Sequence, residues 1–180
     1  MTRRNRPPRS HSARKPRVFL DSSALIAAIL SPREDSASRQ LLRLAEAGVV
    51  DLRASREVLR DAEYLIRKRN PALLTLLALL LEQANVTIVP DPQAETIEQC
   101  LEMTGYRPDA RVLAAAVECD TDVFATYDAE HFLQNPLIGP PRTRLRVMDP
   151  FHTAQWCRAE LLSSSQKENA EQGELDGQDA

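Results

Sequence analysis

Val18-Phe19-Leu20-Asp21-Ser22-Ser23-Ala24-Leu25-Ile26 is the stretch whose reading decides the fold. Three β-prone residues run into an acid, two serines able to cap a helix follow, and an apolar run continues to Leu30. This is a strand, an acid and a helix in immediate succession. Working outward, the alternation repeats. Ser31-Pro32 stops the first helix, and an amphipathic helix over 36–47 ends with Gly48 at its C′ position. A strand over 49–54 leads to Ser55, which caps a helix over 56–69. In that helix Val58, Leu59, Ala62, Leu65 and Ile66 share one apolar stripe. A Leu-rich helix over 72–84 is apolar nearly all round, which predicts burial, in the core or at a dimer contact. Then come a strand over 86–89, helices over 95–103 and 109–119, a strand over 122–126 leading into Asp128, and a strand over 145–148. Parallel neighbours require crossover connections, so strands alternating with helices predict a doubly wound α/β fold. Its mostly parallel central sheet would have about five strands, flanked by helices.

The 180 residues, 43% of them hydrophobic, suffice for one substantial core, and one domain with tails is the expected organisation. Residues 1–17 carry seven basic side chains and no acid, which predicts a basic flexible arm over 1–16. The folded domain is expected over 17–155. The Ser/Gln/Glu/Asp-rich end, 163–180, reads as an acidic disordered tail. Cys100, Cys119 and Cys157 are odd in number and lack the spacing of a structural zinc site, so they read as reduced and structural. The first residues have no apolar segment of a secretory signal and no later run is long enough to span a bilayer, so the expected location is cytoplasmic, without membrane partners.

The net charge of −3 conceals an uneven distribution: residues 18–162 hold fifteen basic and twenty-one acidic side chains. A binder of polyanions does not look like this unless several acids sit together and hold divalent cations, which inverts the local charge. No glycine-rich phosphate loop is present, which argues against a nucleotide cofactor.

In open α/β sheets functional groups gather beyond the carboxyl ends of strands, where Asp21 and Asp128 fall. Each could equally be a helix cap. Asp109 opens Ala-Arg-Val-Leu-Ala-Ala-Ala-Val and could also be a cap. On the helix over 56–69, Asp61 and Glu63 lie on opposite flanks of the apolar stripe, with Glu57 one turn before Asp61. Periodicity does not choose among them, and a solvated charged face accounts for all three.

Together these segments resemble the PIN domain family, specifically the VapC-like toxin nucleases. The resemblance spans about 17–150 and rests on Val-Phe-Leu-Asp21-Ser-Ser-Ala-Leu-Ile, Ser55-Arg-Glu-Val-Leu-Arg-Asp61, Pro-Asp109-Ala-Arg-Val-Leu-Ala-Ala-Ala and Val-Phe-Ala-Thr126-Tyr-Asp128, in order. It implies a catalytic set of Asp21, Asp61, Asp109 and Asp128. Asp21, Asp109 and Asp128 would be the metal ligands, with Ser22 and Thr126 in support. Position 61 is more often Glu in the family. The shorter Asp reaches less far, which leaves Glu57 and Glu63 as fallback acids.

Packed carboxylates repel unless cations neutralise them, and oxygen-only ligation suits Mg²⁺ or Mn²⁺. The expected activity is metal-dependent hydrolysis of RNA phosphodiester bonds by the toxin of a toxin–antitoxin pair. Arg60, Arg67, Lys68, Arg69, Arg107 and Arg111 are candidates for gripping the RNA backbone. With aromatic content of only 4%, stacking platforms are not evident. A cognate antitoxin and a homodimer are implied by the resemblance alone, and the leucines over 73–81 are a candidate surface for one of them. The rivals are a non-catalytic PIN-like module that binds RNA or protein, and a stand-alone RNA-processing nuclease. His11, His131 and His152 show no ligand spacing.

Overall fold

A computed structural model describes the backbone of residues 14–140 and 142–176 and the side chains up to Ser163. Residues 1–13 of the basic arm and 177–180 of the tail lie outside the described residues. The strands are β1 (Arg17–Leu20), β2 (Asp51–Ser55), β3 (Thr87–Val89), β4 (Val123–Ala125) and β5 (Arg146–Met148). They form one sheet in the order β3-β2-β1-β4-β5, every pair parallel. The helices are α1 (Ser22–Leu30), α2 (Ala37–Glu46), α3 (Arg56–Arg69), α4 (Leu74–Gln83), α5 (Ala94–Thr104), α6 (Arg107–Glu118) and α7 (Pro150–Asp176). The doubly wound α/β expectation holds.

Side chains alternate across a strand, so β1 and β4 feed two cores at once. Phe19 and Phe124 enter one, with ring centroids 5.7 Å apart, beside Val58, Ala62 and Ile66 of α3 and Leu113 of α6. Val18, Leu20, Val123 and Ala125 enter the other, against Leu41 and Leu42 of α2 and Ala154 and Cys157 of α7. Val58 and Ile66 are fully buried, each burial being worth about 1.5–3 kcal/mol, and this stripe fixes how α3 is rotated against the sheet. Gly48, at φ +71°, closes α2: its N–H donates to Ala45 O and the Val49 N–H to Leu44 O, both at 2.8 Å. That pair of bonds is the Schellman arrangement, which an L side chain at this φ would strain.

One expectation is corrected. The Leu-rich segment is a 3-10 turn at Pro71–Leu73 followed by α4, and of the residues in α4 only Leu77 is buried, while Leu79 is 47% exposed. The helix serves the crossover to the edge strand β3, and its leucines other than Leu77 are half-buried or exposed. The backbone of α7 runs helical to Asp176, past the domain end expected at 155 and into the tail expected from 163. The docked turns holding Ala154 and Cys157 meet the nucleation cost, and the Gln, Lys, Glu and Ala that follow propagate a helix readily.

At the amino edge of the sheet, Arg14 donates to both oxygens of Asp122, and Arg17 pairs with Asp120 at 2.6 Å. The start of β1 is held there. The cysteines are free thiols, with burial pushing Cys100 to about 11 and Cys157 to about 12. Among the described residues no helix is long and apolar enough to cross a membrane.

Candidate active site

The chain runs from β1 outward through β2 to β3, then returns to the other side of β1 for β4 and β5. This change of direction opens a crevice beyond the carboxyl ends of β1 and β4. Asp21 sits at its base, 5% exposed, as the N-cap of α1. Its Oδ2 accepts from the Ser23 hydroxyl at 2.7 Å, the Thr126 hydroxyl at 2.8 Å and, at 3.4 Å, the Ser23 N–H. Ser23 Oγ also accepts the Tyr127 N–H, and Thr126 Oγ1 the Asp128 N–H, each at 2.9 Å. One network thus ties the ends of β1 and β4 together. The supporting serine is Ser23, not Ser22, because a capping carboxylate reaches the second and third residues of its helix rather than the first. All three bonds fall on Oδ2, which leaves Oδ1 of Asp21 without a hydrogen bond among the described residues.

Asp109 lies inside the first turn of α6, which begins at Arg107 after a cap residue, Tyr106, whose side chain makes no capping bond. Asp109 is therefore not a cap. Its Oδ2 is buried with no hydrogen-bond partner. Burial raises the Asp109 carboxyl above the ordinary range, the His131 imidazole pulls it back, and Asp128, Asp21 and Asp61 push it up further. Asp61 is also raised, first by burial, then by Glu57 and Asp21. These couplings place Asp61 on the flank of α3 that faces the crevice. Glu63, roughly 200° round the helix from Asp61 at 100° per residue, enters none of them. Glu57 reaches the same flank, but its Oε2 is 3.2 Å from Arg111 Nε and thus engaged.

Asp128 caps a short helical turn at Ala129–Leu133. Its Oδ1 accepts the His131 N–H and its Oδ2 lies against His131 Nδ1, both at 2.9 Å. Burial raises the Asp128 carboxyl, but the bonds from His131 outweigh it and the net shift is downward. The same bonds raise the imidazole of His131, which also stands 3.9 Å from Asp109 Oδ2. Sequence reading missed His131. The available signal was Asp-x-x-His, a spacing repeated at Asp149 and His152 with the same capping geometry. Only the pair at 128–131 also borders Asp109, and that follows from the fold.

Of the candidate cations, Arg107 is paired with Glu98 at 2.9 Å and Arg111 with Glu57. Arg60, Arg67, Lys68 and Arg69 make no ion pair among the described residues.

A profile of the PIN domain matches residues 17–130, more than half of the chain. The chain belongs to the PIN domain family. Among solved structures it is similar to that of VapBC2 from Rickettsia felis bound to a DNA fragment from their promoter. The TM-score is 0.55 at 16% identity, covering 74% of this chain and 99% of that one. A comparison with curated proteins returned no significant match. In this PIN domain the donor set is all oxygen, and the orphaned Asp109 Oδ2 and unbonded Asp21 Oδ1 are free to accept a cation, so the residues present fit a hard divalent ion. Among the described residues no three potential ligands already converge on one point. Neighbouring carboxylates raise the proton affinity of Asp109 and Asp61 without the acids being drawn together.

Proposed function

We propose that this PIN domain is a metal-dependent endoribonuclease, the toxin of a toxin–antitoxin pair, cutting RNA at the crevice between β1 and β4. The observation that carries this reading is Asp109. It has a buried carboxylate oxygen with no hydrogen bond, and its proton affinity is raised by burial and by three further aspartates against the pull of His131. Structures that hold such a group without a partner destabilise themselves, and a bound cation removes the cost. Mg²⁺ or Mn²⁺ suits the oxygen donors and, when bound, neutralises phosphate charge and acidifies water.

Asp21 and Asp109 would hold the ion, with Asp128 as a further ligand if His131 released one of its oxygens. Asp21 is oriented by Ser23 and Thr126, whose hydroxyls keep Oδ2 in place. Asp61, with its raised proton affinity, takes the proton of the attacking water. Arg60, Arg67 and Lys68 meet the RNA backbone. A protein partner, antitoxin or second copy, finds apolar surface on α4 around Leu79. The free thiols, two of them buried, suit the cytoplasm.

The test is cleavage of a panel of structured RNAs and single-stranded DNA with Mg²⁺, Mn²⁺ or EDTA, comparing wild type with Asp21→Asn and Asp109→Asn. Metal-dependent RNA cleavage lost in both variants supports the reading. Equal activity in all three, or none in any, replaces it with a non-catalytic binding module.

A further inference from the structure

The chain has three tyrosines, and all are exposed: Tyr64 by 65%, Tyr106 by 57% and Tyr127 by 44%. Of the four phenylalanines, Phe19, Phe124 and Phe132 are buried, and Phe151 on α7 is 52% exposed. Each tyrosine is next to a different acid of the crevice. Tyr64 is one helical turn after Asp61 on α3. Tyr106 immediately precedes α6, whose first turn carries Asp109, and the αL residue Gly105, φ +68°, turns the chain from α5 straight into it. Tyr127 lies between Thr126 and Asp128, its N–H bound to Ser23 Oγ. None of the three phenol hydroxyls has a hydrogen-bond partner among the described residues.

Each of these exposed rings thus adjoins, within one helical turn or a single residue of chain, an acid of the crevice, with its hydroxyl uncommitted among the described residues. We propose that Tyr64, Tyr106 and Tyr127 are stacking platforms for unpaired bases of an RNA strand on either side of the phosphate held over the acidic crevice. This rests on the nuclease reading above and names the form in which substrate is bound. Around Tyr64, Arg60 and Lys68 stand four residues before and after, its neighbours on the helix surface, with no acid taking their charge among the described residues. A ring flanked by two free cations matches a base and its adjoining phosphates. A duplex offers no free base faces, so the substrate segment is single-stranded or looped.

The experiment uses the full chain carrying Asp109→Asn, so that no cleavage interferes, and a short fluorescent mixed-sequence RNA strand or its blunt duplex, in Mg²⁺ by anisotropy. Each of Tyr64→Ala, Tyr106→Ala and Tyr127→Ala is expected to weaken single-strand binding about 5- to 100-fold, the range for losing one base stack. Each Tyr→Phe, which keeps the ring, stays within about twofold, and duplex binding changes little. The proposal is overturned if the Ala variants bind the strand like their parent, if Phe loses as much as Ala, or if duplex binding falls equally. A parent that binds no single strand overturns it too. If Asp21→Asn abolishes cleavage while the tyrosine variants bind normally in the Asp109→Asn chain and cut normally when made in the wild-type chain, the nuclease reading stands and only the stacking inference falls.

Discussion

Replacing Asp109 by Asn separates the cost of the site from its use. A buried acceptor without a partner costs about 1–3 kcal/mol, and with the Asp109 side chain only 20% exposed its neighbouring carboxylates add repulsion. The amide removes the charge and offers hydrogens to those carboxylates, so in EDTA the variant should be more stable by about 1 kcal/mol. For a chain of this size that is a rise of about 2–4 °C in Tm. Saturating Mg²⁺ reverses the order. At a hundredfold excess over Kd the wild type gains about 2.7 kcal/mol by mass action, the variant far less, and the wild type leads by nearly 2 kcal/mol. The sign in pH follows from the same group. Asp109 binds its proton more tightly folded than unfolded, so its penalty is present above the raised pKa and fades as the pH falls through it toward 3.8. Differential scanning fluorimetry of both proteins in EDTA and in an Mg²⁺ series is sufficient. An Asn variant less stable in EDTA, or an equal Mg²⁺ shift in both, would refute the reasoning.

Thr126→Val removes the fully buried hydroxyl that holds Asp21 Oδ2 and should lower stability by about 1.5–3 kcal/mol in urea unfolding, together with cleavage; an unchanged midpoint would dissolve the network argument. Asp61→Glu restores the longer acid of the family pattern, and faster cleavage in Mg²⁺ is expected; a slower enzyme would mean that the crevice is shaped around Asp. The imidazole of His131 should titrate above 6.5 by NMR and return toward it in Asp128→Asn. Its contribution to stability is full below 6.5 and lost as the pH rises through the raised value, so a titration at or below 6.5 in the wild type would contradict the Asp128 contact.

The strand–acid–helix pattern at 18–30, the Ser55 cap, the span of α3 and the turn at Gly48 were legible because each depends on residues a few positions apart. So were Asp21, Asp109 and Asp128 as acids at strand ends or helix starts. The choice between cap and chemistry was not legible; the structure shows both Asp21 and Asp128 as caps, a role that leaves the proposed metal ligation open to them. Asp109 differs because Pro108 sits inside its helix, moving the cap back to Tyr106. The exposure of α4 was misread because apolarity says that a helix has greasy faces, not how many find protein to cover them.

By itself the sequence determined the class of fold, the order of its elements and the acids that compete for the site, since periodicity, capping and turn chemistry act over one or two turns of chain. Only the tertiary structure decided that Ser23 rather than Ser22 bonds to Asp21, that Asp61 rather than Glu63 is coupled to Asp21, that His131 engages Asp128, and that all three tyrosines are exposed. Those outcomes depend on which strands become neighbours. The bond from Thr126 to Asp21 joins residues 105 positions apart, and no local signal spans that distance until the sheet has set β1 beside β4.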